Sequence, residues 1–208
     1  MTRTLAVVSA GLSQPSSTRL LADRLAAAVA AVLDPLDVTL VEVRDHAHDV
    51  VNNLLTGFPS PALGSAVDAV AAADGLIAVT PIFNASYSGL FKSFFDVFEE
   101  SALLDKPVLL AATGGTARHS LALEHALRPM FAHLRASVVS TSVFAAPEDW
   151  AGGGDGRSGA DGRSGALGRR IERAGRELAE QMSRRESRPP PDPFDLPVTF
   201  DRLLSGDQ

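Results

Sequence analysis

The chain has 208 residues, with 19 Lys plus Arg against 25 Asp plus Glu and no cysteine. That length suits one domain burying about 70% of its unfolded surface, and the missing cysteines exclude disulfides, zinc ribbons, iron–sulfur ligation and thiol chemistry, so any redox work falls to a bound organic cofactor. A net charge of -6 with no Lys/Arg block argues against a nucleic-acid partner. The apolar runs fall far short of the roughly 18 residues of a membrane span, and the N-terminus has no signal-peptide core, so a cytoplasmic protein is expected.

Residues 3–9 (RTLAVVS) read as a buried parallel strand. Ser16, Ser17 and Thr18 then stand where a helix is capped, and Leu21, Leu25, Ala28 and Val32 recur at helical spacing, which predicts a helix over 17–33. Residues 37–43 form a second strand, 44–61 a partial helix and loop, and 62–73 an alanine-rich helix. A third strand over 74–80 ends at Pro81; a helix over 88–104 carries Phe91, Phe94, Phe95 and Phe98 on one side, as core or subunit-interface packing. Residues 107–113 form a fourth strand, 117–134 a helix, 136–144 a fifth strand and 166–185 a last helix. Between them, DGRSGA occurs twice in tandem within a glycine-rich insert, 151–166. From Arg188 on, five prolines preclude a regular helix, so residues 1–185 are expected to be one domain and 186–208 an extended arm.

Strands alternating with helices imply βαβ units and a parallel sheet. Five strands in this length fit an α/β, three-layer sandwich of flavodoxin-like type, with helices on both faces of a five-stranded parallel sheet in the order 2-1-3-4-5. Ligands bind such sheets outside the carboxyl ends of the strands, at the switch point. Two other patterns are set aside. Gly154, Gly156 and Gly159 spell a dinucleotide fingerprint but follow no first strand, and Asn84-Ala85-Ser86 matches a glycosylation sequon by chance.

Three loops therefore matter. The first, 9–19, holds Ser9, Ser13, Ser16, Ser17 and Thr18 at the start of a helix; hydroxyls and free N–H groups there suit a monophosphate, and no Walker lysine is present for a nucleoside triphosphate. In the second, 80–89, Pro81 leaves backbone groups free to face a flat heterocycle, with Asn84 and Ser86 adding polar contacts. The third, 113–119, has the paired Gly114 and Gly115, which allow close approach to a ring edge. A phosphate site beside two flat-ring edges suggests FMN.

The run TPIFNASYSGLFKSFFD, 80–96, resembles the signature of the NADPH-dependent FMN reductase family, and ADGLIAVT and ATGGTARHS beside it are similar too. The resemblance covers residues 3 to about 150, and Phe200 to Leu204 resemble the short tail of a bacterial subgroup. It implies that Ser9, Ser16, Ser17 and Thr18 hold the FMN phosphate, with Gln14 or Arg19 as further contacts. It implies that Pro81, Ile82, Phe83 and Asn84 line the isoalloxazine edge and that Thr113, Gly114 and Gly115 meet the pyrimidine end. The family's usual first loop carries an arginine where this chain has Leu12, Ser13 and Gln14.

The implied reaction is hydride transfer from the nicotinamide of NADPH or NADH to flavin N5, which needs no acid–base pair. No catalytic side chain is assigned; His119 is an accessory candidate that otherwise opens a helix. The resemblance also implies a homodimer or homotetramer, with Lys92 and Asp96 near a subunit interface, and a flavin-dependent monooxygenase as recipient of reduced flavin. A quinone or azo-compound reductase with bound FMN and a flavodoxin-like electron carrier remain alternatives. No metal site is expected.

Overall fold

The most apolar segments of the sequence form the middle of the sheet. The computed structural model describes residues 2–151 and 165–185. Most of the tandem repeat and the whole proline-rich segment from 186 lie outside the described residues. Strands β1 (Arg3–Ser9), β3 (Gly75–Phe83) and β5 (Pro107–Thr113) run side by side in parallel, and β2 (Leu36–Glu42) pairs with the outer side of β1.

Side chains alternate across this sheet, so each strand feeds two cores. Leu5, Val7, Ile77, Val79, Leu109 and Ala111 pack under α1 (Ser17–Ala30) and α7 (Ala166–Arg184). Ala6, Val8, Leu76, Ala78, Leu110 and Ala112 face α2 (Ala47–Thr56), α3 (Pro61–Ala72), α4 (Gly89–Phe95) and α5 (Arg128–His133). The three-layer, flavodoxin-like arrangement follows. Phe91, Phe94, Phe95 and Phe98 all belong to the second core. Phe95 sits edge-on to Phe91 at 4.8 Å and to Phe131 at 4.9 Å.

The sheet has seven strands rather than the expected five. Two departures account for this. First, β3 runs through Pro81 to Phe83 and turns back as β4 (Ser86–Tyr87). The turn is Asn84-Ala85, both left-handed at φ 48° and 66°, the geometry of a two-residue hairpin. Second, the fifth position is shared by β6 (Ser137–Val138) and β7 (Val143–Ala145), both paired with β5. Side chains capture the backbone between them. Glu177 accepts from Thr141 N–H at 2.8 Å and Thr141 Oγ1 at 2.7 Å, while Arg128 donates to Val139 O at 3.3 Å and Ser142 Oγ at 2.9 Å. The remaining order, β2-β1-β3-β5, is the expected one.

Two helices are shorter than their periodicity predicts. The one expected over 88–104 stops at Phe95. Beyond it the chain makes tight turns, Ala102 N–H to Glu99 O and Leu104 N–H to Ser101 O, and Asp105 at φ 54° donates to Arg135 O. The one expected over 117–134 is a single 3-10 turn (Ala117–His119), a π-helical turn (Leu123–Leu127) and α5. Pro129 explains the π turn: it lacks an N–H and its ring crowds the carbonyl four residues back, so the preceding turn widens.

At the opposite edge of the sheet from the strand carboxyl ends, Lys106 is 2% exposed, with Nζ donating to Ala71 O at 2.9 Å and to Ala73 O. It closes the carboxyl end of α3. Burial, reinforced by Arg185 and opposed by Asp74, lowers its pKa from 10.5 to about 8. Between those values the unfolded chain binds more protons than the folded one, so this group adds stability as pH rises through that window. Denaturant titrations from about pH 8 to 10.5 are expected to show the rise in the wild type and its loss in Lys106→Met. Separately, Ala85→Gly relieves a left-handed alanine and is expected to stabilise by about 1 kcal/mol, read as a higher denaturation midpoint.

Candidate functional site

The carboxyl ends of β1, β3 and β5 carry the site. β1 ends at Ser9, and Ala10 N–H still donates to Val79 O at 2.9 Å, so the chain leaves the sheet only at Gly11. A Cβ on Gly11 would lie 2.1 Å from Ser16 Oγ and 3.1 Å from Thr18 Cβ, so the loop folds back on the start of α1 as only glycine allows. Ser16 caps α1, its Oγ accepting from Arg19 N–H at 3.2 Å. The N–H groups of Ser17 and Thr18 have no acceptor among the described residues. They stand at the positive end of a 14-residue helix.

The second and third loops rise beside the first. Thr80 Oγ1 accepts from Ser88 N–H at 3.1 Å and donates to Pro81 O at 3.0 Å, which ties the base of the hairpin. Pro81 stands opposite Thr113 across the β3–β5 ladder. Thr113 Oγ1 lies 2.9 Å from Thr18 Oγ1, joining the third loop to the first. Gly114 is backed by Phe144, whose Cζ would be 2.7 Å from a Cβ there, whereas Gly115 faces open space.

Between the loops is a cleft of about 550 Å³. Of the predicted site residues, Ser17, Thr18, Pro81, Ile82, Phe83, Thr113, Gly114 and Gly115 line it. The others do not. Ser9 is wholly buried at the end of β1, and Ser16 is engaged as the helix cap. Arg19 is held by Asp23 at 2.7 Å and Glu42 at 2.6 Å. Gln14 turns outward to Arg44, Asn84 occupies the hairpin turn, and His119 is exposed behind Gly114. Five further residues line it: Ser13, which belongs to the serine-rich first loop, Trp150, one of two non-Phe aromatics in the sequence able to stack on a flavin, and Leu12, Ala145 and Pro147, which were not anticipated. Ala145 ends β7, and Pro147 and Trp150 follow it in α6 (Pro147–Ala151). Their signal was positional, since the end of a fifth parallel strand reaches the same sheet edge. Trp150 is held under the Arg24 guanidinium, 5.1 Å from its ring centre.

Among the described residues, none that lines the cleft has an acidic or basic side chain. The cleft therefore offers hydroxyls, backbone N–H groups and apolar walls, which bind and orient but do not exchange protons at neutral pH. Among the described residues no cluster suits a metal ion. A flat heterocycle carrying one phosphate fits this donor set: free N–H groups and hydroxyls at the α1 start for the phosphate, Ile82, Phe83 and Pro147 as walls, and open space above Gly115 for a ring. The Ser9 hydroxyl, buried beside the loop, has no hydrogen-bond partner among the described residues.

Gly11→Ala forces Ser16 off its cap and should weaken FMN binding by about tenfold, roughly 1.4 kcal/mol. Quenching of flavin fluorescence on titration measures it; an unchanged affinity would show that the loop's close fold is irrelevant to the ligand.

Residues 3–151 match the family described as NADPH-dependent FMN reductase. An FMN reductase (NADPH) of Pseudomonas aeruginosa is 38% identical over 143 residues, 69% of this chain and 76% of that one. An NADH-dependent FMN reductase of Pseudomonas fluorescens is 39% identical over 153 residues, covering 73% and 81%. Among solved structures, an oxidoreductase from Corynebacterium diphtheriae is 43% identical with a TM-score of 0.79, covering 89% of this chain and 99% of that one. An NADH:FMN oxidoreductase in its apo form is 29% identical with a TM-score of 0.72, covering 90% and 92%. With the cleft, its loops and these likenesses together, the chain belongs to the NADPH-dependent FMN reductase family.

Proposed function

We propose that this chain binds FMN across the ends of β1, β3 and β5 and catalyses its direct reduction by NAD(P)H. The observation that carries the reading is the cleft itself: hydroxyls and unpaired N–H groups at the start of α1 open into the same space as the β3 and β5 loops. Ser17 and Thr18 receive the phosphate, with Thr113 fixing Thr18 in place. Pro81, Ile82 and Phe83 present backbone and apolar surface to one edge of the ring, and Gly114 and Gly115 let the backbone approach the other. Bound FMN supplies the hydride acceptor, N5, for nicotinamide C4. Phe83 is 46% exposed at the cleft mouth, a surface on which a nicotinamide can rest. An electron carrier would sandwich the flavin between two aromatic rings. Here the aromatic lining residues among those described are Phe83 and Trp150, and Trp150 is already stacked under Arg24.

No helix among the described residues is long and apolar enough to cross a membrane, and the proposed setting is the cytoplasm, where nicotinamide and flavin are both at hand. Reduced FMN is then the product available to a separate flavin-dependent monooxygenase. We also assign self-association to the outer face of α2 and the residue after its Gly57 cap, where Leu55 and Phe58 are 81% and 80% exposed beside Val51 and Leu54. The paired Lys92 and Asp96 lie on the α4 segment that packs beside α2, giving a second copy complementary charges as well as apolar surface.

The test is NADPH and NADH oxidation with added FMN, followed with the visible spectrum of the purified protein. Turnover above a no-enzyme control is expected; its absence with both nucleotides would sink the reading. For assembly, Leu55→Asp with Phe58→Ser should lower the mass found by sedimentation, and an unchanged mass would refute the assigned face.

A further inference from the structure

Glu42 closes β2 directly opposite Ser9, the last residue of β1. Its carboxylate is 10% exposed and lies between two guanidiniums: Arg19 Nη1 is 2.6 Å from Oε1, and Arg44 Nε is 3.7 Å from Oε2. Arg19 is also bound to Asp23, so both sides of its guanidinium are occupied by carboxylates on the outside of α1. Arg44 faces the other way. Its Nη1 donates to Ser13 O at 3.1 Å, and the Gln14 side-chain oxygen accepts from Nη1 at 3.1 Å and Nη2 at 2.5 Å, the amide orientation being set by these two donors. Among the described residues, 12–15 make no other hydrogen bond, backbone or side chain. The stretch between Gly11 and the Ser16 cap is thus tethered by one side chain from the 3-10 turn (Val43–His46) that follows β2.

We propose that Arg44 is a positioning residue for the flavin-phosphate loop, with Glu42 aligning it. It holds Ser13 and Gln14 so that the donors at the start of α1 stay arranged around a terminal phosphate. This rests on the reading that the β1–α1 loop takes the FMN phosphate. Charge alone cannot do that work here: Arg19 and Arg44 face Asp23, Glu42 and Asp45, with Asp45 3.5 Å from Arg44, so the region has no surplus of positive charge. Affinity for the dianion then depends on the geometry of N–H and hydroxyl donors, which a loose loop loses. The planar guanidinium donates to a backbone carbonyl and a side-chain amide at once, with the Glu42 carboxylate 3.7 Å away as its ionic partner. A lysine ammonium has no such fork.

The experiment compares FMN with riboflavin, which lacks the phosphate, by fluorescence titration of the full chain. In Arg44→Gln the FMN Kd should rise about tenfold while the riboflavin Kd stays within about twofold. Arg44→Lys, which keeps the charge but not the fork, should behave like Arg44→Gln. Unchanged FMN binding in Arg44→Gln, equal weakening of both flavins, or full rescue by lysine would each overturn the proposal. Ser17→Ala with Thr18→Val in the same assay separates the two levels. If that pair lowers the preference for FMN and Arg44→Gln does not, the positioning role fails alone. If neither changes the preference, the phosphate-loop reading fails and the positioning role with it.

Discussion

Parallel pairing of β3 with β1 on one side and β5 on the other is the constraint on which the molecule depends. These strands have helices on both faces, and Leu76, Ile77, Ala78, Val79 and Thr80 are all fully buried. A strand buried on both faces has no room for charge along its length, so polar groups can gather only at its ends. Parallel pairing then puts the carboxyl ends of β1, β3 and β5 in one row. The chain leaves β1 toward α1 on one face and β3 toward α4 on the other, so the loops part and leave a crevice. The cleft is a consequence of the sheet rather than an addition to it.

The two ends of the sheet use polar groups differently. At the amino edge, Lys106, Asp74, Arg3 and Arg185 close helix ends and tie α7 to the sheet, as in the Arg3–Asp74 pair at 3.1 Å and the Arg3 bond to Arg185 O at 2.6 Å. At the carboxyl edge the ionic groups are withdrawn from the cleft. Arg19, Glu42 and Arg44 stand behind the first loop, Glu124 and Arg128 pair on α5 and the turn before it, and Glu177 binds Thr141 at the far end of the sheet. Burial would raise the Glu177 carboxyl pKa, but hydrogen bonds from Thr141 and Arg173 hold it below its ordinary value. What faces the ligand is hydroxyl, backbone and apolar surface. That suits chemistry in which the bound flavin supplies the reactivity and the protein supplies place and orientation.

The three loops were legible in the sequence because each follows a strand whose apolar run is unmistakable, and topology does the rest. Individual contacts were less legible. Arg19 follows three hydroxyl residues and suits a phosphate by type, yet β2 brings Glu42 beside Ser9 and pairs with it first. Asn84 lies within the family signature, yet it takes the left-handed position that a two-residue hairpin needs. Trp150 and Pro147 reach the cleft because β7 is displaced from β6 by Arg128 and Glu177, residues on the helical layers and far away in sequence.

The sequence by itself determined the class of fold, the strand order through β5, the cap of α1 and the family. Each rests on information held within a few neighbouring residues: apolar period, a capping hydroxyl, a proline, a signature run. Only the tertiary structure decided which hydroxyls line the cleft, that the fifth strand is split, and that the β1–α1 loop is tethered by Arg44 from the turn after β2. Those outcomes turn on side chains meeting backbone across long separations, as Arg44 meets Ser13 over 31 residues and Glu177 meets Thr141 over 36. Such contacts exist only once the sheet has closed the intervening chain, so no local pattern records them.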